Sequence, residues 1–391
     1  MNLPPAPGSQ VAGFDLHYPP DEIESVTAGL RAILESGFIS MGRNVAEFEK
    51  RWAEFCGVKY AVGTANGTCA LEVILRSIDV KGKTVALPSH TFIATAAAAI
   101  HAGARVIFID CQRENLQMDP EDLSRKLRPD TKAVILVHMS GIISPHLERI
   151  KKICGENGSV LVEDAAHAHG ATIHDRKAGS LGLAGSFSFF STKVITTGEG
   201  GMITTDDETI YKNALALRDH GRFGREANLH EDIGSNWRPS ELNAVLGLAQ
   251  MTRASAILQR RRDIAAKYDR ELRARHLPSV ELLEIPHHIR SSYYKYVLYV
   301  QPPLQRDCIL RELREDHQVS LGGLLYDRPC HSQPLFQRHP ETVVSDSRAP
   351  FPETDFVVSH HLCLPLYFDL KDEQVDRVIE AFQAVVSRQL T

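Results

Sequence analysis

The chain has 391 residues, 43% of them hydrophobic and 24% charged, with a formal net charge of -5. That length predicts a large domain with a smaller one beside it, and the acidic balance offers no basic footprint for nucleic acid. No charge-free apolar run reaches membrane-spanning length, and the seven cysteines are scattered without a CxxC pair, which predicts reduced thiols, a cytoplasmic setting and no membrane partner.

The first stretch, "MNLPPAPGSQVAGF", has no basic segment leading into an apolar one, so no signal peptide is read there. Residues 1–20 are expected to be an irregular, proline-rich arm. From residue 60 to about 205, short apolar runs alternate with helical patterns. The runs are "YAVGT" (60–64), "TVALP" (84–88), "RVIFID" (105–110), "AVILVH" (133–138), "SVLVED" (159–164), "SFSFF" (186–190) and "GMITT" (201–205). Runs apolar at nearly every position suit strands buried on both faces, the mark of a mainly parallel sheet. Between them, "CALEVILRSI" sets Leu71, Ile74, Leu75 and Ile78 on one helical face. "FIATAAAAIHAGA" reads as a buried helix, and "PHLERIKKICGEN" as a helix with Pro145 in its first turn and Gly158 just past its end. Strand–helix alternation at this spacing predicts an α/β domain over residues 21–255.

From Pro239 to about Arg275 the pattern is helical and charged, and residues 256–285 are read as a connecting helix. After Pro286, "SSYYKYVLYV" alternates as a strand and "RDCILRELREDH" is an amphipathic helix. "VSLGGLLY" and "HHLCLPL" read as further strands, and "DEQVDRVIEAFQAVVSRQL" as a closing helix. Residues 286–391 form the expected smaller α+β domain.

Three stretches fall where predicted strands end, which is where open α/β sheets bind ligands. In "TANGTCALE", Asn66, Gly67 and Thr68 turn the chain into a helix N-terminus. Such an end suits a phosphate, although Thr68 also reads simply as a helix cap. In "VLVEDAAHAHGA", Glu163 and Asp164 end a buried strand, where a carboxylate is costly unless a cation meets it. His167 and His169 follow, but His-x-His without a further ligand is a weak metal pattern, and no metal is expected. In "SFSFFSTKVITTGEGG", Lys193 is a lone lysine after a buried run. If neighbouring parallel strands carry Asp164 and Lys193, one crevice holds a carboxylate and an amine. A structural ion pair is the simple alternative. Pyridoxal phosphate needs an amine for its Schiff base, a carboxylate for its ring nitrogen and a phosphate cradle, and the three stretches offer these in order.

The ordered set Asn-Gly-Thr (66–68), Pro-x-x-Thr-Phe-x-Ala-Thr (88–95), Val-His-Met-x-Gly (137–141), Glu-Asp-Ala-Ala-His-Ala-His-Gly (163–170), Phe-Ser-Phe-x-x-Thr-Lys (187–193), Gly-Glu-Gly-Gly (198–201) and Gly-x-Asn-x-Arg (234–238) resembles the DegT/StrS sugar-aminotransferase family over nearly the whole chain. The resemblance implies a fold-type-I pyridoxal-phosphate enzyme that works as a homodimer with the active site at the interface. By position it implies Lys193 as the Schiff-base lysine and Asp164 as the partner of the ring nitrogen. His167 falls near the cofactor's ring hydroxyl. The Gly67 turn, Thr68, the Cys69 backbone and Ser188 fall at the phosphate, joined by Asn236 from the other subunit. Phe92 falls on the ring, with His90 a second candidate for that place, and His331 at the substrate end. Two departures stand out: Val194 where the family commonly has Asn, and Gly-Ser-Asn-Trp-Arg-Pro at 234–239.

The implied activity moves an amino group from glutamate or glutamine to a keto-sugar, by way of pyridoxamine phosphate, in amino-sugar or antibiotic biosynthesis. "FSFFSTK", "LRDHGR" and "LPLYF" lean toward nucleotide-linked keto-sugars, whereas "VHMSG", "DAAHAHGA" and "GSNWR" lean toward keto-cyclitols or aminohydroxybenzoate synthesis. A deoxysugar dehydratase or regulator is the alternative of another class. Relatives that dehydrate sugars carry His at the lysine position, and Lys193 argues against that. A nicotinamide enzyme is disfavoured because "GSLGLAG" lacks the Gly-x-Gly-x-x-Gly spacing.

Overall fold

The computed structural model describes residues 10–224, 228–344 and 350–391. Two helices open it, α1 (Pro20–Ser36) and α2 (Arg43–Cys56). Strands and helices then alternate: β1 (Tyr60–Thr64), α3 (Gly67–Ser77), β2 (Thr84–Pro88), α4 (Ile93–His101), β3 (Arg105–Ile109), α5 (Pro120–Lys126), β4 (Thr131–Val137), α6 (Leu147–Asn157) and β5 (Val160–Asp164). A short hairpin, β6 (Thr172–Ile173) and β7 (Arg176–Lys177), precedes β8 (Ala184–Ser188), β9 (Gly201–Thr205) and α7 (Glu208–Leu217).

Seven of these strands make one sheet in the order β1-β9-β8-β5-β4-β2-β3. The pairs β2–β3, β2–β4, β4–β5 and β5–β8 are parallel, and β9 runs antiparallel to both its neighbours. Both faces are buried, which is why the strands read as near-continuous apolar runs. Val85, Leu87, Ile135 and Val137 face one core, and Ala86, Val134 and Leu136 face the other. Pro145 lies two residues before α6 rather than in its first turn, and Gly158 closes that helix with φ 72°, as its position predicts.

A single helix, α8 (Glu241–Arg275), is about 52 Å long at 1.5 Å per residue. It covers the first part of the expected 256–285 connector and reaches back to Glu241; residues 276–285 are not helical. Its first half packs on α1 and α2, and its second half on the C-terminal helix. Gly247 allows the α2 crossing, since a Cβ there would lie 2.7 Å from the Phe48 ring. Glu241 pins the same corner: its buried carboxylate accepts the N–H groups of Gly42, Asn44 and Val45.

The remainder comprises β10 (Val280–Leu282), β11 (Ile289–Arg290), β12 (Tyr296–Val300), α9 (Arg306–Glu315), α10 (Leu335–Arg338), α11 (Pro352–His360), β13 (His361–Leu364) and α12 (Asp372–Leu390). β10, β12 and β13 form an antiparallel sheet over a third core, while β11 pairs with β6. "VSLGGLLY", expected as a strand, is irregular: Val319 makes one bridge to Val11, and the chain then turns through Gly323 at φ 74°.

Candidate active site

The carboxyl ends of β1, β5 and β8 open on one cavity of about 760 Å³. At its first wall, β1 leaves the sheet and Asn66 caps α3, its side chain accepting the Cys69 N–H at 3.0 Å. Asn66, not Thr68, is therefore the cap, and Thr68 lies inside the first turn with its side chain on the cavity. The opening N–H groups of a helix have no acceptor one turn back. Here the Asn66 cap takes that of Cys69, leaving those of Gly67 and Thr68 at the cavity wall. Gly67 touches β8 closely: a Cβ there would lie 2.9 Å from Ser188 Cβ and 3.1 Å from the Phe187 carbonyl oxygen. Ser186, on the same strand, donates its hydroxyl to the Gly67 carbonyl at 3.1 Å.

Asp164 ends β5 and is buried against the second wall. Its Oδ2 accepts the Thr95 hydroxyl at 2.8 Å and its Oδ1 the Ala166 N–H at 3.2 Å. Burial pushes its carboxyl above the ordinary value, against the opposing pull of these donors and of Lys193. Lys193 follows β8 in a turn closed by its own N–H on the Phe190 carbonyl at 2.9 Å. Its Nζ stands 4.8 Å from the centroid of the Tyr294 ring. Burial brings its pKa from 10.5 down to about 8, Asp164 working upward and Lys295 downward. His167 lies parallel to the Tyr294 ring at 4.0 Å, and burial and then the Lys193 charge hold it well below its ordinary value, so it is neutral.

The consecutive carboxylates of β5 part company, as alternate strand residues must. Glu163 faces away from the cavity, fully buried. It accepts His138 at 2.9 Å and the N–H groups of Gly179, Leu181 and Gly182 at 2.8, 2.6 and 2.8 Å. Burial works to raise its pKa, but the His138 hydrogen bond and these N–H groups outweigh it and hold the carboxyl below the ordinary range. His169 also points away, donating to the Ser188 carbonyl at 3.0 Å behind β8, so it does not converge with His167.

Gly67, Thr68, Cys69, Phe92, Asp164, His167, Ser188 and Lys193 all line the one cavity. Phe92 is 57% exposed and nearly parallel to Tyr326 at 6.1 Å. Asn236 is exposed and outside this lining, although its neighbour Trp237 belongs to it. His90 and His331 are not brought into the cavity. His90 is buried behind Tyr326, edge-on to that ring at 5.7 Å. His331 lies 2.5 Å from the Ser89 hydroxyl, stacks on Phe351, and faces a separate cavity of about 270 Å³. Sequence reasoning missed Ser186, Tyr294, Lys295 and Tyr326 as lining residues. It quoted Thr95 in a motif without seeing its bond to Asp164.

A family model, the DegT/DnrJ/EryC1/StrS aminotransferase family, matches residues 20–383. The chain belongs to this family. It is 33% identical over 380 residues to the spore coat polysaccharide biosynthesis protein SpsC of Bacillus subtilis, covering 94% of both chains. It is 30% identical to a GDP-perosamine synthase of Vibrio cholerae (89% of this chain, 93% of the other). It is 31% identical to the dTDP-3-amino-3,4,6-trideoxy-alpha-D-glucose transaminase of Micromonospora megalomicea (94% and 96%). Among solved structures, a putative sugar aminotransferase of Streptococcus pneumoniae in its PMP form superposes with a TM-score of 0.85 at 27% identity, covering 97% of this chain and 98% of the other. Bacillus subtilis NtdA with bound cofactor PMP gives 0.87 at 25% (97% and 86%). This member of the family is thus an aminotransferase of fold type I that depends on pyridoxal phosphate. The cavity fits that group: it has a glycine-tight helix N-terminus beside two hydroxyls, a buried carboxylate, and a lysine whose amine is partly neutral.

Proposed function

We propose that this aminotransferase moves an amino group from glutamate or glutamine to a nucleotide-linked keto-sugar, acting in the cytoplasm as a homodimer. The observation that carries the site assignment is the convergence of Asp164 and Lys193, from the ends of adjacent parallel strands, on the cavity that α3 opens into. The nucleotide-sugar names of its relatives support the acceptor class.

Bound pyridoxal phosphate supplies an electron sink for the negative charge that forms at the donor's Cα. The N–H groups of Gly67 and Thr68, with the hydroxyls of Thr68 and Ser188, hold the phosphate, favoured by the positive end of the α3 dipole. The Cys69 N–H joins them where the Asn66 side chain releases it. Asp164 keeps the ring nitrogen protonated, and Thr95 fixes the carboxylate that does so. His167, neutral and stacked on Tyr294, would meet the cofactor's ring hydroxyl, and Phe92 would cover its ring. Lys193 anchors the cofactor in the resting enzyme. Once released, its neutral amine takes the proton from the donor's Cα and later returns one to the sugar carbon that bears the new nitrogen.

Asn236 completes the phosphate site of the partner subunit. Its exposure supports this, as does an exposed apolar surface a few residues along the chain: Phe38, Ile39 and Met41 flank the Ser40–Ser240 bridge, and exposed Leu242 follows it. The presence of Lys193 supports transamination over sugar dehydration.

The test begins with glutamate, which should bleach the yellow band of the purified holoenzyme. The bleached enzyme is then offered a panel of keto-sugar nucleotides and keto-cyclitols. Recovery of the band with a keto-sugar nucleotide is expected. Recovery with cyclitols alone would move the acceptor to that class, and a yellow band that persists in Lys193→Ala would sink the lysine assignment.

A further inference from the structure

Lys295 shares the cavity with Lys193, and the mechanism above gives it no role. Its ammonium stands 5.6 Å from the centroid of the Tyr294 ring, the ring that Lys193 also approaches. It donates to the Gly322 carbonyl, which leaves further donors on a group that carries three. No carboxylate of the described residues lies within ion-pair distance of it. A half-buried ammonium without a counter-charge is costly, and desolvation does lower its pKa. Arg261, more deeply buried, shows how this chain settles a structural cation: its guanidinium is spent on the carbonyls of Tyr293 and Tyr294, and it does not line the cavity. Apart from Lys193, Lys295 is the one Lys or Arg among the described lining residues. Every amino-acid donor brings at least one carboxylate to this place.

The geometry points to Lys295 as the group that receives a carboxylate of the amino donor, and so selects amino acids for the first half-reaction. This deepens the proposed function and rests on its premise that the donor is an amino acid. The anion is an organic carboxylate, either the one on Cα or one on the donor's side chain.

The test uses holoenzyme with its cofactor bound. Calorimetry measures the binding of glutarate, an unreactive dicarboxylate, and bleaching of the yellow band measures reaction with glutamate and with alanine. Lys295→Met and Lys295→Gln should weaken glutarate and raise half-saturation by glutamate about tenfold or more, as for loss of a charged hydrogen bond. The bleaching rate at saturation should stay within about threefold. Lys295→Arg should keep most of the binding. An equal loss with alanine assigns the Cα carboxylate, and a loss confined to glutamate assigns the side-chain one. Glutarate and glutamate held within about twofold by both neutral variants would overturn the proposal, as would a loss falling on the keto-sugar nucleotide instead. A retained yellow band shows each variant folded; should Lys295→Met lose it, the Gln and Arg variants decide. If the parent bleaches with no amino acid at all, the donor premise fails, and glutarate binding still reads Lys295.

Discussion

The amine of Lys193 can be titrated directly in the enzyme stripped of its cofactor. At pH 7 a lysine of ordinary pKa 10.5 is neutral in about three molecules per ten thousand, whereas one at about 8 is neutral in about one of ten. The cavity therefore raises the reactive fraction about 300-fold. The sign follows from the causes: burial disfavours the ammonium, Lys295 adds repulsion, and the Asp164 charge opposes both. The second-order rate of pyridoxal phosphate uptake, followed by growth of the yellow band, should rise with pH and level off above about 8. A small primary amine reacting with the same cofactor is the reference, and dividing by its rate removes the cofactor's own titration. In Asp164→Asn the inflection should move below that of the parent, because the one upward influence is gone. An inflection near 10.5, or an upward move in Asp164→Asn, would refute the account of a burial-lowered amine.

Glu163→Ala should destabilise the fold by about 3–5 kcal/mol, because it leaves three N–H groups and His138 unpaired in the core. Denaturant titration at pH 7 checks this, and an unchanged midpoint contradicts it. The folded carboxyl titrates below its ordinary value, so its contribution is full above about pH 4.5 and fades as pH falls through the lower folded value. The parent should therefore lose more stability than Glu163→Gln between pH 5 and pH 3. Gly67→Ala sets a Cβ 2.9 Å from that of Ser188 and should weaken cofactor retention about tenfold in equilibrium dialysis. Lys193→Ala and Asn236→Ala chains are each expected to be impaired. Mixed and re-equilibrated, they should recover about a quarter of parental activity, since half the dimers hold one intact site of two. No recovery would place Asn236 in its own subunit's site or in none.

The sheet was legible because strands buried on both faces leave a signature that local sequence carries unaided, and all seven runs fall within two residues of observed strands. The pair Asp164 and Lys193 was legible for a related reason: each is an ionisable group at the end of an apolar run, where only a ligand site or a specific partner accounts for it. His90 and His331 were not, because a motif position fixes where the backbone is and not which way a side chain leaves it. His90 turns under Tyr326, and His331 turns toward Ser89 and Phe351. Tyr326 itself comes from "VSLGGLLY", whose alternation mimics a strand. A strand needs a neighbour along its length, and here the backbone meets Val11 at Val319 and Ser320 and Cys363 at Gly322, then turns away at Gly323. That departure places Leu324, Leu325 and Tyr326 on the cavity.

Glu163 and Asp164 show why a carboxylate pair in the sequence resists a chemical reading until its surroundings are known. Both are buried, and burial raises both. Glu163 meets one imidazole and three N–H groups, which outweigh desolvation and fix it as an anion of the framework. Asp164 meets one hydroxyl and one N–H, which do not, so its pKa stays raised. The difference is the charge each still wants: Glu163 has its hydrogen-bond partners, and Asp164 gains from a cationic ring nitrogen placed against it. The strand's twofold alternation assigns the roles, and a slip of one residue in β5 would exchange them. The buried residues that pair with β5, five on β4 and three on β8, are thus as necessary to the proton chemistry as Asp164 is, since they decide which carboxylate faces the cavity.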